Sequence, residues 1–597
     1  MDQELRESIE TAAEKHALLN AVKHESDADV GAIMGPLMGE NPEFREHGDE
    51  VPGVAGGVIA EVNNLSHEER VERLEELAPD ELEEILAEDE GDDQALPDLP
   101  NVVEPSSTSA DSLARQDGDE YDEIRMRVAP NPNGPWHIGH ARMPAVIGTY
   151  KEMYDGWFCV RFDDTDPETK RPDLDAYDQI IEDIEYLGFD PDAVYRASDR
   201  METYYDHARD LIEKGGAYTC SCPQGDFSDM KNSGEACPHR DKDAETTLSE
   251  FEAMVDGEYD SGEMVLRVRT DIEHKNPALR DWVAFRMIDT PHPREEASEY
   301  RCWPMLDFQS GVDDHLLDVT HIIRGIDLQD SAKRQRFVYD YFGWEYPEVL
   351  HWGHVQIDAF DVKMSTSTIK QLIDEGELDG WDDPRAPTVA AFRRRGIRGE
   401  AITDAMVELG TSTSDVDLAM SAVYSHNRDL IDDDANRYFF VRESGDNGDF
   451  GTVELPLAGD APGEGTPPVH PEHEDRGRRS LPVDDAVVIE SADLPEAGEK
   501  LWLKGYGPVE YDGSELRYTD DDIEVVREGE ADVVHWVPAG EETVSVRLRT
   551  PEGDVTGYAE PAFAGTDADE MVQFVRVGFA RVDGHGDDES VTYFAHE

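Results

Sequence analysis

Cysteine is scarce in this chain. Five among 597 residues cannot build a disulfide framework, and they fit a reducing compartment. No apolar run approaches the length needed to span a bilayer, and no secretory signal opens the chain. The expectation is a soluble, cytoplasmic protein with no membrane partner. Positive charge is the third shortage: 53 Lys and Arg stand against 138 Asp and Glu, a formal net charge of -85. Such a surface repels itself at low ionic strength and needs salt to screen it. The acid is spread along the whole chain rather than gathered in a tail, which reads as adaptation to a high-salt cytoplasm. It also sits badly with a broad nucleic-acid interface, because phosphate binding wants cations and weakens as salt rises. Any nucleic-acid site must be local and work through shape and base contacts.

What is present begins with a short β-favouring run, Glu123 to Val128. It is followed by Ala129-Pro130-Asn131-Pro132-Asn133-Gly134-Pro135-Trp136-His137-Ile138-Gly139-His140. Three prolines and Gly134 force a tight loop, and Met143, Val146, Ile147 and Tyr150 then carry helical spacing. A strand, loop and helix in this order leave N–H groups and a positive dipole end where a phosphate chain can sit. His137 and His140 lie three apart and can both donate to phosphate oxygens. Gly139 leaves room for a flat base against the backbone. Pro-Asn-Pro-x-Gly-Pro followed by His-Ile-Gly-His resembles the signature loop of class I aminoacyl-tRNA synthetases, in the form used by glutamyl and glutaminyl enzymes. The four letters alone are weak; the unbroken run from Pro130 to His140 is strong, and it demands the remaining motifs in order.

They follow in order. Phe158 to Pro167 is a strand ending in carboxylates, and it resembles the family's Arg-Phe-Asp-Asp-Thr segment. That resemblance assigns Asp163 to the amino acid's ammonium group. Thr320-His321-Ile322-Ile323-Arg324-Gly325 supplies Arg324 where glutamyl enzymes carry an arginine and glutaminyl enzymes do not. A substrate carboxylate needs a guanidinium partner, whereas an amide would leave that charge unpaired. Arg127 matches a second substrate-binding arginine and Ser310 a further pocket position. Leu306 stands where the family has a pocket tyrosine, so that contact has no carrier. Lys363-Met364-Ser365-Thr366-Ser367 resembles the second nucleotide motif, with Thr366 in place of its second lysine; Lys363 or Lys370 is then the candidate phosphate cation.

Outside these motifs, Cys220-Ser221-Cys222 and Cys237-Pro238-His239 put three of the five cysteines and one histidine within twenty residues. Two close pairs joined by a short loop suit a structural tetrahedral zinc site. Arg393, Arg394 and Arg395 stand out in so acidic a chain as phosphate-facing candidates, against the alternative of a helix face paired to nearby acids.

The expected organisation is α/β and multidomain. A helical amino-terminal extension covers 1–88, with Ser66-His67-Glu68-Glu69 as a capping box before Leu74 and Leu77, and a second helix over Leu82, Ile85 and Leu86. An acidic, mobile linker covers 89–119. A class I, Rossmann-like catalytic domain is split into 120–215 and 301–345 around an inserted acceptor-stem-binding domain, 216–300, holding the zinc site. A helical connection spans 346–440, and a β-barrel anticodon-binding domain of the archaeal and glutaminyl kind spans 441–597. The resemblance implies ATP-dependent activation of L-glutamate and its transfer to tRNA(Glu), with ATP, Mg²⁺ and structural Zn²⁺ as cofactors and a monomeric chain. A glutamine-specific ligase and an inactive tRNA-binding paralogue remain the alternatives, and acceptance of tRNA(Gln) stays open.

Overall fold

The computed structural model describes residues 3–23, 28, 33, 37, 44, 51–63, 65, 70, 73–74, 77–78, 96–102 and 121–597, apart from 358–359, 361–363, 447, 449, 461 and 541. The chain divides into two compact units, Met1–Ala95 and Leu96–Glu597. In the first, helix Gln3–Lys23 packs against helix Val51–Asn63. Ile9, Ala13, Ala17 and Ala21 recur every fourth residue, one above another on a single face. They share a buried core with Val51, Ala55, Ile59 and Leu74. The expected capping box at 66–69 and the helix over Leu82, Ile85 and Leu86 lie outside the described residues.

The second unit is organised by parallel strands. β1 (Arg125–Val128), β2 (Trp157–Phe162) and β3 (Ala193–Arg196) pair in the order β1-β2-β3. β8 (His321–Gly325) and β9 (Glu348–Trp352) form a second parallel pair. The two join edge to edge, because the Thr320 N–H donates to the Arg125 carbonyl at 2.9 Å. The resulting order, β3-β2-β1-β8-β9, reverses direction at β1, and open α/β sheets bind ligands outside the carboxyl ends of the strands at such a switch point. The strands read as continuous apolar runs because both faces are covered. Helix Ala176–Tyr186 shows how one face is closed: Ala176, Tyr177, Ile180 and Ile184 are buried at helical spacing, and Asp183 lies in the same buried stripe.

Between β3 and β8 the chain builds a separate antiparallel sheet from β4 (Ala217–Cys220), β5 (Val265–Val268), β6 (Val283–Met287) and β7 (Cys302–Pro304). It has its own apolar core around Tyr205, Phe251, Phe285 and Trp303. Helix Leu306–Leu316 then returns the chain to the parallel sheet, buried along Asp307 to Asp314. Helices Thr366–Asp374, Val389–Arg395, Gly399–Glu408 and Met420–Ile431 follow.

From residue 436 onward there are two seven-stranded sheets. The edge strands of the first, Asn436–Tyr438 and Phe440–Gly445, are consecutive in sequence. So are those of the second, Ala531–Val534 and Val537–Pro538. Each sheet therefore curls until its two edges meet along the chain, which is how a barrel removes its exposed edges.

Residues 96–102, inside the segment expected to be a mobile linker, are packed on the parallel sheet. Leu96 and Leu99 are buried in its core cluster. The Tyr150 hydroxyl donates to the Pro97 carbonyl at 2.7 Å, and Tyr154 accepts the Leu99 N–H at 3.1 Å. Two apolar side chains and a line of satisfied backbone groups make this stretch a strap. The rest of 89–119 lies outside the described residues.

Candidate active site at the carboxyl edge of the parallel sheet

The signature loop leaves β1 and enters a 3₁₀ turn, Ile138–Ala141, before helix Arg142–Tyr154 begins. The free N–H groups expected there are partly engaged: Ile138 donates to the Pro387 carbonyl at 2.8 Å and His140 to the His137 carbonyl at 2.9 Å. The loop is thus moored on residues 387–389 rather than left open to a phosphate. Its donors are the two imidazoles, stacked with ring centroids 3.8 Å apart. A Cβ at Gly139 would lie 3.1 Å from His137 Nδ1, so this glycine makes room for the histidine ring itself.

Burial pushes His137 down to about 4; burial and then the neighbouring His137 push His140 down to about 3. Both rings are neutral at ordinary pH and donate one N–H each. Nδ1 of each is buried without a partner among the described residues, as is Asn131 Oδ1. Buried polar groups are otherwise nearly always satisfied, so three orphans in one loop point to an absent ligand.

That loop forms one wall of a cleft of about 450 Å³, with Met364, Ser365, Thr366 and Ser367 opposite. The two motifs touch at Gly134, where φ is +156° and a Cβ would lie 2.5 Å from Thr366 Cγ2. Lys363 lies outside the described residues. Lys370 points elsewhere, pairing with Asp173 at 3.3 Å.

A second cleft of about 420 Å³ adjoins the first, sharing Ala129, Asn131, Met143 and Lys170 with it. Its walls gather Arg127 from β1, Asp163 from the end of β2, Arg324 from β8 and Ser310 from helix Leu306–Leu316. Beneath them is a charged network. Arg127 grips Asp314 with both prongs, Nε to Oδ1 at 3.0 Å and Nη2 to Oδ2 at 3.2 Å. Arg161, fully buried, reaches Asp314 at 2.8 Å, Asp163 at 3.2 Å and the Ser310 hydroxyl at 2.9 Å. Burial opposes the Asp314 charge, but Arg127 and Arg161 outweigh it and hold the carboxyl down at about 2. Burial pushes Asp163 up, opposed by Arg161 and the Gln309 amide.

Arg324 is the least satisfied member. Its nearest carboxylate contact is Asp314 at 3.9 Å, it donates to Gln335 at 3.3 Å, and Nε has no partner among the described residues. Burial, and then the nearby Arg127, lower its proton affinity. Three guanidiniums (Arg127, Arg161, Arg324) thus face two carboxylates (Asp163, Asp314). Asp313 is already engaged by Arg200 at 2.7 Å and the Tyr204 hydroxyl at 2.5 Å. Sequence reasoning named neither Arg161 nor Asp314 as a pocket residue. Arg161 stands two residues before Asp163 on the same strand face, which is a usable signal; Asp314 offers none. Leu306 sits at the mouth of this cleft, 40 % exposed.

A third groove, about 720 Å³, shares Arg286, Met305, Leu306, Asp307 and Ser331 with the second and runs to Cys220 and Cys222. There the ligand atoms of Cys220, Cys222, Cys237 and His239 all lie within 4.8 Å of one another. Cys220 Sγ is 3.9 Å from Cys237 Sγ, and His239 Nδ1 is 3.7 and 3.3 Å from the sulfurs of Cys220 and Cys222. A tetrahedron with Zn–S near 2.3 Å and Zn–N near 2.05 Å has edges of about 3.8 and 3.6 Å. The donor set therefore fits zinc in size and chemistry, and Ser221 Oγ sits 3.2 Å from His239 Nε2, placed to fix the ring.

The arginine triplet divides. Arg395 is buried, donating to the carbonyls of Phe594 at 2.9 Å and Ala595 at 2.6 Å. It ties its helix to the last strand of a barrel and cannot face a phosphate, which corrects the expectation for this residue. Arg394 bridges Asp382 and Asp583, the latter at 3.2 Å. The Arg393 side chain is 40 % exposed, 3.9 Å from the Glu182 carboxylate and 5.5 Å from the centre of the Tyr186 ring.

An open parallel sheet with two adjoining clefts of about 450 and 420 Å³ at its switch point, one lined by neutral imidazoles and the other by arginines, suits an enzyme that brings a nucleotide to a small acid. Comparison with known proteins makes this specific. Residues 123–433 match the family model of the tRNA synthetases class I (E and Q), catalytic domain; 435–528 and 533–583 match two anticodon-binding domains of the same family. The chain belongs to this family. It is 68% identical to the glutamate–tRNA ligase of Natronomonas pharaonis over 596 residues and to that of Halobacterium salinarum over 603, covering 100% of each chain. Identity to the glutamate–tRNA ligase of Methanosarcina acetivorans is 42%, covering 98% of each. A glutamate–tRNA synthetase structure from Elizabethkingia anophelis aligns with a TM-score of 0.38 and 20% identity, over 52% of this chain and 71% of that one.

Proposed function

We propose that this protein attaches L-glutamate to tRNA(Glu) in two steps. The glutamate α-carboxylate attacks the α-phosphate of ATP, giving glutamyl-AMP and diphosphate. The terminal ribose hydroxyl of the tRNA then takes the glutamyl group and AMP leaves. The observation that carries the specificity is the excess of one guanidinium in the second cleft. A glutamate side-chain carboxylate balances the three arginines against three carboxylates, whereas glutamine would leave Arg324 unmatched in a buried site.

In this reading His137 and His140 donate neutral N–H groups to ATP phosphates, with Lys363 as a further cation and Mg²⁺ arriving on the nucleotide. Asp163 receives the ammonium group through the oxygen not engaged by Arg161 and Gln309. Arg127 and Arg324 hold the glutamate, with Ser310 beside them. No side-chain nucleophile is needed, because positioning and charge stabilisation suffice for this chemistry. The third groove suits the tRNA acceptor end, since it opens directly onto the glutamate cleft. The Cys220, Cys222, Cys237 and His239 set would hold zinc as a closed structural site that stiffens this wall. Arg393 is left as the tRNA-facing candidate of its triplet.

The test is aminoacylation in multimolar KCl with ATP and Mg²⁺, offering glutamate or glutamine to purified tRNA(Glu) and tRNA(Gln). Transfer of glutamate to tRNA(Glu) is expected, and the tRNA(Gln) arm reads discrimination directly. Transfer of glutamine would overturn the charge argument. Bound tRNA with no transfer of either amino acid would overturn the ligase reading.

A further inference from the structure

We propose that Lys170 is a catalytic residue of the activation step, its ammonium meeting the ATP phosphates at the point where the attacking carboxylate arrives. The proposal rests on the nucleotide and glutamate reading of the two clefts.

The reaction must occur where those clefts join, because one reactant comes from each. Among the described residues, only Ala129, Asn131, Met143 and Lys170 line both, and Lys170 is the one cation among them. In the nucleotide cleft it is the only lysine or arginine among the described residues. The two imidazoles there are neutral, so they supply hydrogen bonds but no net charge. ATP brings several negative charges into that space, and some group must oppose them as they redistribute.

The other cations nearby are paired or are left for the glutamate side chain. Arg286, also on the wall of the second cleft, pairs with Asp166 at 3.0 Å. Arg127 is bidentate on Asp314, and Arg324, which donates to Gln335, lines the glutamate cleft but not the nucleotide cleft. Lys370, on the helix that follows the second motif, holds Asp173 and lines neither cleft. Lys170 has no ion pair or hydrogen bond among the described residues, although the chain carries 138 acids to 53 Lys and Arg.

The backbone around it is fixed from both sides. The Asp166 carboxylate accepts the Thr169 N–H at 2.9 Å and the Glu168 N–H at 3.3 Å, forming a tight turn just before Lys170. Three residues later, the Asp173 N–H donates to the Pro132 carbonyl of the signature loop at 2.8 Å. Lys370 then links the same Asp173 to the helix behind Thr366. The turn that presents Lys170 is buckled between the two nucleotide motifs, so its backbone position follows their geometry.

In the step itself, a glutamate α-carboxylate oxygen forms a bond to the α-phosphorus. The bond from that phosphorus to the bridging oxygen of diphosphate breaks, and diphosphate leaves with the electron pair. No proton need move. On the side of attack the ammonium meets the non-bridging oxygens of the α-phosphate, where it lessens their repulsion of the incoming carboxylate and stabilises the five-coordinate transition state more than the ground state.

The experiment is ATP–diphosphate exchange by the full chain in multimolar KCl, with glutamate and tRNA(Glu) present. Lys170→Ala is expected to lower kcat about 100-fold, with a smaller rise in KM for ATP and unchanged tRNA affinity. Lys170→Arg should retain more activity than Lys170→Ala. Thr366→Lys, which presents an amine to the same cleft from the opposite wall, should restore at least part of the loss in the double variant. Activity of Lys170→Ala within threefold of the natural chain would overturn the proposal, as would a loss of exchange matched by an equal loss of tRNA binding. If the natural chain exchanged only with glutamine, the glutamate reading would fall, and the same variants assayed with glutamine would still decide the role of Lys170.

Discussion

The two clefts that meet at Lys170 solve opposite problems with opposite materials. Apart from Lys170 at the junction, the nucleotide cleft is walled by neutral groups: stacked imidazoles held far below their ordinary proton affinity and an asparagine oxygen without a partner among the described residues. The glutamate cleft is floored by full charges, with Arg127 and Arg161 on Asp314 and Arg161 on Asp163. ATP arrives with its own metal and leaves as two anionic products, so neutral donors can hold it without trapping it. Glutamate must be told from glutamine, which differs by one charge, and only a site already short of one carboxylate can read that difference. The charged floor is kept out of water by helix Leu306–Leu316, which makes each of its interactions stronger than a surface pair.

Substitutions on the two sides should differ accordingly. Arg324→Ala removes the unmatched guanidinium and is expected to lower kcat/KM for glutamate about 1000-fold, the scale of losing one partner of a buried charge pair. The ratio of glutamine to glutamate use should rise in the same assay. An unchanged ratio would break the comparison, because it would mean that selectivity does not reside in this charge excess. On the neutral side, His140→Ala removes one hydrogen bond to phosphate and should lower activation about 100-fold, equally for either amino acid. The pH profile of kcat/KM for the natural chain should show no inflection between about pH 5.5 and 8 from these rings, which lose their proton near 4 and 3. A titration near pH 6.5 that disappears in His140→Ala would mean that the loop works with charged imidazoles.

The sequence exposed these two sides unequally. The nucleotide loop was legible because it is local: prolines, Gly134 and the histidines fall within eleven residues, and their order alone dictates strand, turn and helix. Cys220, Cys222, Cys237 and His239 were legible for the same reason. The floor of the glutamate cleft was not, because Arg161 and Asp314 are 153 residues apart and meet only when β2 and helix Leu306–Leu316 pack. Arg324 could be singled out by resemblance, but its unsatisfied Nε depends on Gln335 and Asp314 taking up its other contacts. The arginine triplet misled at Arg395 because an arginine that clamps carbonyls 199 and 200 residues away is written just like one that faces solvent. Residues 96–102 misled by composition: an acidic, proline-bearing stretch reads as linker, yet Leu96 and Leu99 are enough to seat it.

One group blurs the division and gives the smallest, most easily measured effect. Asp183 lies behind the neutral signature loop, on the buried stripe of helix Ala176–Tyr186, with Oδ2 unpartnered among the described residues. Burial pushes its carboxyl up to about 7, while Arg393 and the backbone N–H of Trp136 oppose the shift. Because the folded protein holds this proton more tightly than the unfolded chain, the stability it contributes is greatest in acid. That stability drains away as pH rises from the ordinary carboxylate range through 7. Integrated between pH 5 and 8, the loss is about 3 kcal/mol. Asp183→Asn keeps the shape and cannot ionise, so denaturant unfolding in high salt should find the variant as stable as the natural chain at pH 5 and more stable at pH 8. Parallel curves for the two proteins across that range would show that Asp183 is ionised within the fold, and the wall behind the nucleotide cleft would then carry a buried charge like the floor of its neighbour.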